Sequence, residues 1–295
     1  MARTKKSPEQ RKAEAEALHA QLAEQVEALA SSEAWDRFLT FATSFHSYSL
    51  NNVLLILAQR PDASRVAGFR QWQAKGRQVR KGERGIKILG YSSKRVTAED
   101  DNGDETERIV RRFPILTVFD LAQTDQIEGT DKVDDLTAHV EGDDVAGIAA
   151  KITDWLTGQG WTVDLEPIEG AANGYTTTDG TQRVVIDANL GPAQAAKTTL
   201  HEAAHAILHS DEPIAEYVEH RGVKETEAES VAYVTAGMAG LDTSAYSVGY
   251  VAGWSKGDAT VIRAAAENVM RAVHTLADVV DESDEESDDE ATTAA

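Results

Sequence analysis

The stretch "LHEAAHAILH" (residues 200–209) places two histidines four residues apart, with a glutamate directly after the first. On a helix, residues i and i+4 project from one face, so the imidazoles of His201 and His205 can reach a single ion. Glu202 would project near that ion, where a carboxylate can take a proton from a metal-bound water and later return it to a leaving amine. His209 repeats the spacing, either as a spare ligand or, as is more usual at a helix end, as a structural or solvated residue.

A third ligand is needed to separate this pattern from chance, and the segment "KETEAESVAYVTAGMAGLD" (residues 224–242) offers acidic candidates on a second amphipathic helix. Glu225 and Glu229 are i and i+4, whereas Glu227 points away by about 200° of helix rotation. We favour Glu225 as the third ligand and Glu229 as the group that orients an imidazole. The alternative is that these glutamates only solvate a helix face.

These two segments together resemble the gluzincin type of zincin metallopeptidase, in which the third ligand is the first glutamate of a Glu-x-x-Ala-acid pattern. The resemblance covers roughly residues 145–255, and "ETEAE" begins twenty positions after the second histidine of "HEAAH". It implies that His201, His205 and Glu225 bind Zn²⁺ and that Glu202 is the general base. The implied activity is zinc-dependent hydrolysis of a protein or peptide whose identity the sequence does not give.

Composition limits the remaining possibilities. The chain has 295 residues, a formal net charge of −21 and no cysteine, so disulfides and thiolate ligands are excluded. A transition metal must therefore be held by His, Asp or Glu. No apolar run approaches the roughly 20 residues of a membrane span, and the polar N-terminus argues against a secretory signal, so we expect a cytoplasmic protein without membrane contact.

The apolar spacing and the turn residues predict an α+β protein of two domains. The boundaries are predicted as an N-terminal helix (1–30), an α+β domain (31–125), an acidic linker (126–144), a zincin-like α+β domain (145–280) and a disordered acidic tail (281–295). Charge divides along the same line, since residues 1–124 carry 20 Lys+Arg against 16 Asp+Glu, and the rest carries 9 against 34. Such asymmetry indicates different tasks for the two halves.

Residues 60–95, which we call the basic segment, contain 11 Lys+Arg against two acids and interleave them with Phe69, Trp72 and Tyr91. Cations along a groove bind phosphates, and aromatic faces stack on unpaired bases. We therefore predict a surface for single-stranded DNA. Its candidate residues are Arg70, Trp72, Lys75, Arg77, Arg80, Lys81, Arg84 and Lys87. The alternative is an ordinary basic surface over core aromatics.

Three blocks, "SLNNVLLILAQRP", "GFRQWQAKGRQVRKGERGIKIL" and "FPILTVFDLAQT", resemble the N-terminal, single-stranded-DNA-binding domain of ArdC-type antirestriction proteins. A zincin domain following that domain is also the arrangement of this family. The resemblance implies a DNA-binding zinc metallopeptidase carried by a mobile element. Two alternatives are a non-catalytic protein that coats single-stranded DNA around a structural zinc, and a regulatory protease that cleaves a repressor. The acidic C-terminal half departs from the family pattern.

Overall fold

The computed structural model describes residues 7–99, 105–128, 145–213, 219–241 and 251–281. The fold divides into two compact units, one formed by segments Met1–Gln25 and Asn51–Leu136 and the other by Val26–Leu50 and Thr137–Ala295. Each unit combines helices with strands, so the predicted α+β architecture of two domains is confirmed. Most of the predicted acidic linker (129–144) and nearly all of the predicted disordered tail (282–295) lie outside the described residues.

The described helices are α1 (Pro8–Ala28), α2 (Ser32–Phe45), α3 (Leu50–Gln59), α4 (Phe69–Ala74), α5 (Val145–Gly158), α6 (Pro192–Leu208), α7 (Arg221–Met238), α8 (Val251–Ser255) and α9 (Ala259–Asp281). The described strands are β1 (Val66–Gly68), β2 (Arg77–Val79), β3 (Ile86–Leu89), β4 (Ser92–Glu99), β5 (Glu105–Arg112), β6 (Ile115–Asp120), β7 (Thr124–Gln126), β8 (Thr162–Glu166), β9 (Gly174–Thr176) and β10 (Arg183–Asp187). Within the described ranges, none of the helices combines the length and the apolarity needed to cross a membrane.

The N-terminal unit is built around an antiparallel sheet in the order β1-β6-β3, beside the two-stranded pairs β2-β7 and β4-β5. Trp72 of α4 is fully buried against this sheet, and its indole N–H donates to the carbonyl of Phe119 on β6 at 2.8 Å. Strand β3 is an edge strand, and edges expose unpaired backbone groups. The amide side chains of Asn52 and Gln59 on α3 pair with backbone groups of β3 at 2.8–2.9 Å and so cover that edge.

The C-terminal unit contains a three-stranded sheet in the order β8-β10-β9, with β10 parallel to β8 and antiparallel to β9. Its central strand is an apolar run, and Val184, Val185 and Ile186 are almost completely buried. The short strand β9 precedes the turn at Asp179 and Gly180, and the sequence pattern did not predict it. This omission matters because β9 borders the candidate site.

Helices α6 and α7 pack closely, because small side chains line the contact. Ala203 and Ala204 on α6 and Ala228 and Ala232 on α7 are all fully buried. The small residues at positions 228 and 232 allow this close approach, and both lie in the core.

Helix α2 packs against α7 in the C-terminal unit, although the predicted boundaries assigned it to the α+β domain of residues 31–125. Trp35 of α2 is fully buried and donates its indole N–H to the Ser230 hydroxyl at 3.0 Å. Thr40 and Tyr233 place their hydroxyls 3.1 Å apart in the same contact. The apolar stripe of α2 indicates that the helix is buried, but it carries no information about which unit supplies the partner.

Candidate metal centre and nucleic-acid surface

Helix α6 presents the two histidines of the opening stretch toward α7. The helix begins after Gly191 with Pro192 in its first turn, a position where proline lacks only an N–H that the helix does not use. The Nε2 atoms of His201 and His205 lie 3.1 Å apart. Glu225 of α7 completes the group, with Oε2 at 3.5 Å from the first of these nitrogens and 3.8 Å from the second. These three residues could hold a metal ion, and we call them the metal centre.

The separations within the metal centre fit a divalent cation. Zinc–nitrogen and zinc–oxygen bonds of about 2.0–2.1 Å at tetrahedral angles require ligand atoms roughly 3.3–3.4 Å apart. The three observed separations of 3.1, 3.5 and 3.8 Å bracket that value. Three ligands from two helices also leave further coordination positions for water or substrate, as catalytic sites require.

Electrostatics within the metal centre favour a positive charge between the helices. Burial disfavours the imidazolium of His201, but hydrogen bonds to Glu225 and Glu229 outweigh it and raise its pKa to about 9. Burial lowers the pKa of His205 to about 4, and hydrogen bonds to both imidazoles hold the pKa of Glu225 well below its usual range. A cation bound here would replace the proton on His201, so binding should release a proton.

Glu229 lies behind His201, one helical turn after Glu225. Its Oε2 is 3.2 Å from Nδ1 of His201, and its Oε1 accepts from the Lys197 ammonium at 2.9 Å. A hydrogen bond at Nδ1 leaves the lone pair of Nε2 for a ligand role, because a neutral imidazole carries one proton. The geometry is the one expected for a residue that orients an imidazole.

Glu202 is buried beside the histidines, and β9 holds it in place. The Thr176 hydroxyl lies 2.7 Å from the Glu202 carboxylate and 3.0 Å from its backbone carbonyl. Burial raises the pKa of Glu202, although His201 and the Thr176 hydroxyl oppose the shift. A raised pKa suits a group that takes up and returns a proton near neutral pH.

A cleft of about 230 Å³ opens beside these residues. It is lined by Asn173, Gly174, Gln194, Lys197, Thr198, His201, Glu202 and Glu229. Gly174 sits so close to α6 that an added Cβ would lie 2.7 Å from the Thr198 methyl and 3.2 Å from Cγ of Glu202. The cleft therefore brings Glu202 and His201 to one surface, beside an edge strand.

Sequence reasoning missed Thr176, and it placed Glu227 outside the site. Glu227 is nearly inaccessible, and its Oε2 lies 2.8 Å from Nε2 of His209. The other nitrogen of His209 lies 2.9 Å from Nδ1 of His205. The i+4 spacing of His209 after His205 was the sequence feature that could have indicated this contact. Thr176 had none, because strand β9 itself was not predicted.

The predicted DNA-binding residues of the basic segment fall into two groups. One group is Arg70, Lys75, Lys81 and Arg84, which are exposed; Arg80 of the other group is exposed as well but ion-paired. Arg77, Arg80 and Lys87 make contacts within the unit: Arg77 donates to Thr124 and Gln126, Arg80 is ion-paired with Glu83 and Asp125, and Lys87 donates to Thr117.

Trp72 requires a correction, because its full burial and its hydrogen bond to Phe119 make it a core residue that cannot stack on a base. Three other aromatic side chains of the unit are exposed. Phe69 is 43%, Tyr91 63% and Phe113 65% accessible, and the last two pack against each other with ring centroids 5.8 Å apart. Phe113 lies beyond the basic segment, which explains why the charge pattern did not single it out.

A histidine pair and a downstream glutamate on two packed helices, beside a short mixed sheet, define a metallopeptidase-like domain. Residues 159–240 match the family model described as the IrrE N-terminal-like domain, of the M78 peptidase class. Residues 12–119 match the N-terminal domain of anti-restriction factor ArdC. The chain therefore combines an ArdC-type N-terminal domain with an M78 peptidase-like domain, which confirms the resemblance stated from the sequence.

Two individual proteins that resemble this chain share 28% sequence identity or less with it. An uncharacterized protein of Bacillus anthracis is 28% identical over 257 residues, covering 73% of this chain, and the chain spans only 42% of the length of that relative. The metal-free crystal structure of the antirestriction ArdC protein from plasmid R388 has a TM-score of 0.47 at 21% identity, covering 79% of this chain and 85% of that one. Its Mn(II)-bound structure has a TM-score of 0.43 at 20% identity, with coverage of 80% and 90%.

Proposed function

We propose that this chain is a zinc-dependent metallopeptidase that associates with single-stranded DNA, acting in antirestriction of the ArdC type. The observation that carries the proposal is the convergence of His201 Nε2, His205 Nε2 and a Glu225 carboxylate oxygen to within 4.8 Å of one another. Two imidazoles and a carboxylate are a donor set that zinc accepts in catalytic sites. The match of residues 159–240 to a peptidase family supports the same conclusion.

In this proposal His201, His205 and Glu225 hold the cation. When bound, zinc lowers the pKa of a coordinated water to about 7 and polarises a peptide carbonyl. Glu202 is the general base: its buried carboxylate accepts a proton at the cleft and returns it to the leaving amine. The Thr176 hydroxyl positions that carboxylate at 2.7 Å, and Glu229 positions the His201 imidazole at 3.2 Å.

The N-terminal unit would supply the DNA contact. Support comes from the exposed cations Arg70, Lys75, Lys81 and Arg84 and from the exposed aromatic pair Tyr91 and Phe113. Cations along a surface neutralise phosphates, and ring faces stack on unpaired bases without regard to sequence. The ArdC match of residues 12–119 agrees with a DNA-related role. We infer that DNA binding localises the peptidase to incoming single strands.

The decisive experiment compares wild type with Glu202→Gln, using the full chain, casein as substrate and zinc analysis of the purified proteins. The substitution keeps the shape of the side chain but removes its basicity, so we expect hydrolysis to fall about 10²–10⁴-fold. Zinc content should be unchanged, whereas Glu225→Ala should lose zinc. Glu169→Gln, the same change at an exposed position of the same unit, serves as the matched control.

Three results would contradict the proposal. Wild type that purifies without zinc and takes up none would remove the metal centre. Zinc-loaded wild type that cleaves no protein, while both it and Glu202→Gln protect single-stranded DNA equally, would favour the non-catalytic coating protein. Equal hydrolysis by wild type and Glu202→Gln would assign the activity to another group.

A further inference from the structure

A buried chain of polar groups runs from His205 away from the cleft. Nδ1 of His205 lies 2.9 Å from Nδ1 of His209. Nε2 of His209 lies 2.8 Å from Oε2 of Glu227 on α7, and the second oxygen of Glu227 accepts from the Asn268 amide of α9 at 2.9 Å. His209 and Glu227 are each only 1% exposed. Three helices therefore meet at one continuous hydrogen-bonded line that ends at a metal ligand.

The direction of hydrogen-bond donation along this line follows from which ring nitrogens can donate and which must accept. The Nε2 atom of His205 faces the other two ligands and must be unprotonated to bind a cation. Its proton then lies on Nδ1 and is donated to Nδ1 of His209, which must accept. The proton of His209 consequently lies on Nε2 and is donated to Glu227. With this assignment no two donors face each other along the line.

His209 does not have the geometry of a spare metal ligand. Both of its ring nitrogens already have partners, and the nitrogen near His205 contacts Nδ1, the atom on the opposite side of that ring from the metal centre. The sequence left open whether His209 is a spare ligand or a structural residue. In the structure it lies directly behind His205, the second ligand.

We propose that His209 and Glu227 are positioning residues that hold His205 in the Nδ1–H tautomer and so keep its Nε2 available for the metal, an inference that rests on the metal centre of the proposed function. The two ligand histidines are then supported differently. His201 is contacted directly by the carboxylate of Glu229, whereas His205 reaches the carboxylate of Glu227 through an intervening imidazole. Reversal of the line would place a proton on Nε2 of His205 and block the ligand position.

Two substitutions at one position separate this role from simple packing. In His209→Asn the amide oxygen can replace Nδ1 and still accept from His205, but the contact with Glu227 is lost. In His209→Gln the longer amide can still reach Glu227, but His205 loses its acceptor. Both variants remove the same buried ring, so a purely structural role predicts equal effects.

The test measures zinc affinity of the full chain by competition with a chromophoric chelator. We expect His209→Asn to stay within about 3-fold of wild type and His209→Gln to bind zinc about 10–100-fold more weakly, the usual cost of losing a hydrogen-bond partner of a metal ligand. Equal losses in the two variants would overturn the proposal. A wild type that binds no zinc would instead refute the metal centre itself, so the two failures are distinguishable.

A second measurement needs no variant and holds even if both substitutions prevent folding. Imidazole ¹⁵N NMR of metal-free wild type reports which nitrogen of each histidine carries the proton. We expect Nδ1–H for His205 and Nε2–H for His209. The opposite assignment at both rings would show that the line runs in the blocking direction and would refute the proposal.

Discussion

The metal centre and the basic segment are organised in opposite ways. In the metal centre three ligand atoms converge from two packed helices, and groups behind them such as Glu229 fix their orientation. In the basic segment the cationic side chains have different environments. Arg77 is hydrogen-bonded to the neighbouring strand β7, while Lys81 and Arg84 are exposed. The first arrangement suits a small cation that tolerates little displacement, and the second suits a flexible polyanion that adapts to a surface.

The two regions need different degrees of rigidity. A ligand set for zinc loses affinity when one atom moves by a fraction of an ångström, so its supporting residues are buried and hydrogen-bonded. Phosphate contacts are long-range and additive, so individual cations need no such support. If this distinction holds, substitutions in the two regions should differ in what they change, whether stability, site geometry or salt dependence.

The largest expected effect is on stability in the N-terminal unit. Trp72→Ala removes a fully buried ring and leaves the Phe119 carbonyl without its donor, so the unfolding free energy should fall by about 3–5 kcal/mol. Tyr91→Ala removes a ring that is 63% exposed and should change stability by no more than about 0.5 kcal/mol. Urea unfolding of the full chain measures both.

The same pair of variants also tests the aromatic surface. Tyr91→Ala should weaken binding to a single-stranded oligonucleotide by about 1–3 kcal/mol, the typical contribution of one stacked base. Unchanged DNA affinity in Tyr91→Ala would remove this ring from the surface. A folded, stable Trp72→Ala protein that loses DNA binding would reinstate Trp72 as a binding residue and would break the contrast between the two regions.

Sequence spacing was sufficient to predict which residues form the metal centre, because the spacing of residues on a helix determines the direction in which their side chains project. His201 and His205 at i and i+4, and Glu225 with Glu229 one turn later, came together once two helices packed through small residues. Glu227 shows the limit of that reasoning. Its rotation away from Glu225 was predicted correctly, but spacing could not tell that a third helix carrying Asn268 lies there and encloses it.

For the basic segment, composition was a weaker guide. A count of cations does not reveal which of them a neighbouring strand will engage, and the partners of Arg77 lie 47 and 49 positions away in the chain. Trp72 likewise lies two positions after the exposed Arg70, yet its ring turns into the core. The pairing of distant strands, β2 with β7 and β1 with β6, decides both cases.

A third prediction probes the rigidity assigned to the metal centre. Gly174→Ala would place a methyl group 2.7 Å from Thr198 and 2.9 Å from the Val185 carbonyl, so β9 or α6 must shift. We expect a loss of about 1–3 kcal/mol in unfolding free energy, together with reduced hydrolysis because Glu202 is displaced. Gly158→Ala, at the end of α5 with no atom within 4 Å of the new Cβ, is the matched control and should be neutral or slightly stabilising. Equal effects in urea unfolding and casein hydrolysis would show that the cleft adapts as readily as a surface.

The smallest expected effect separates the cations of the basic segment from one another. Arg84→Gln removes an exposed charge, so the slope of log Kobs against log salt for single-stranded DNA should become shallower by about 0.7. Lys81→Gln should do the same. Arg77→Gln should leave that slope nearly unchanged and lower stability instead, because this guanidinium donates to Thr124 at 2.7 Å and to Gln126 at 3.2 Å within the fold. Identical slopes for all three variants would mean that exposure does not select the phosphate contacts. If only Arg77→Gln changed the salt slope, DNA binding would use the hydrogen-bonded arginine of β2. The basic segment would then resemble the metal centre, because it would recognise its partner through groups that the fold holds in position.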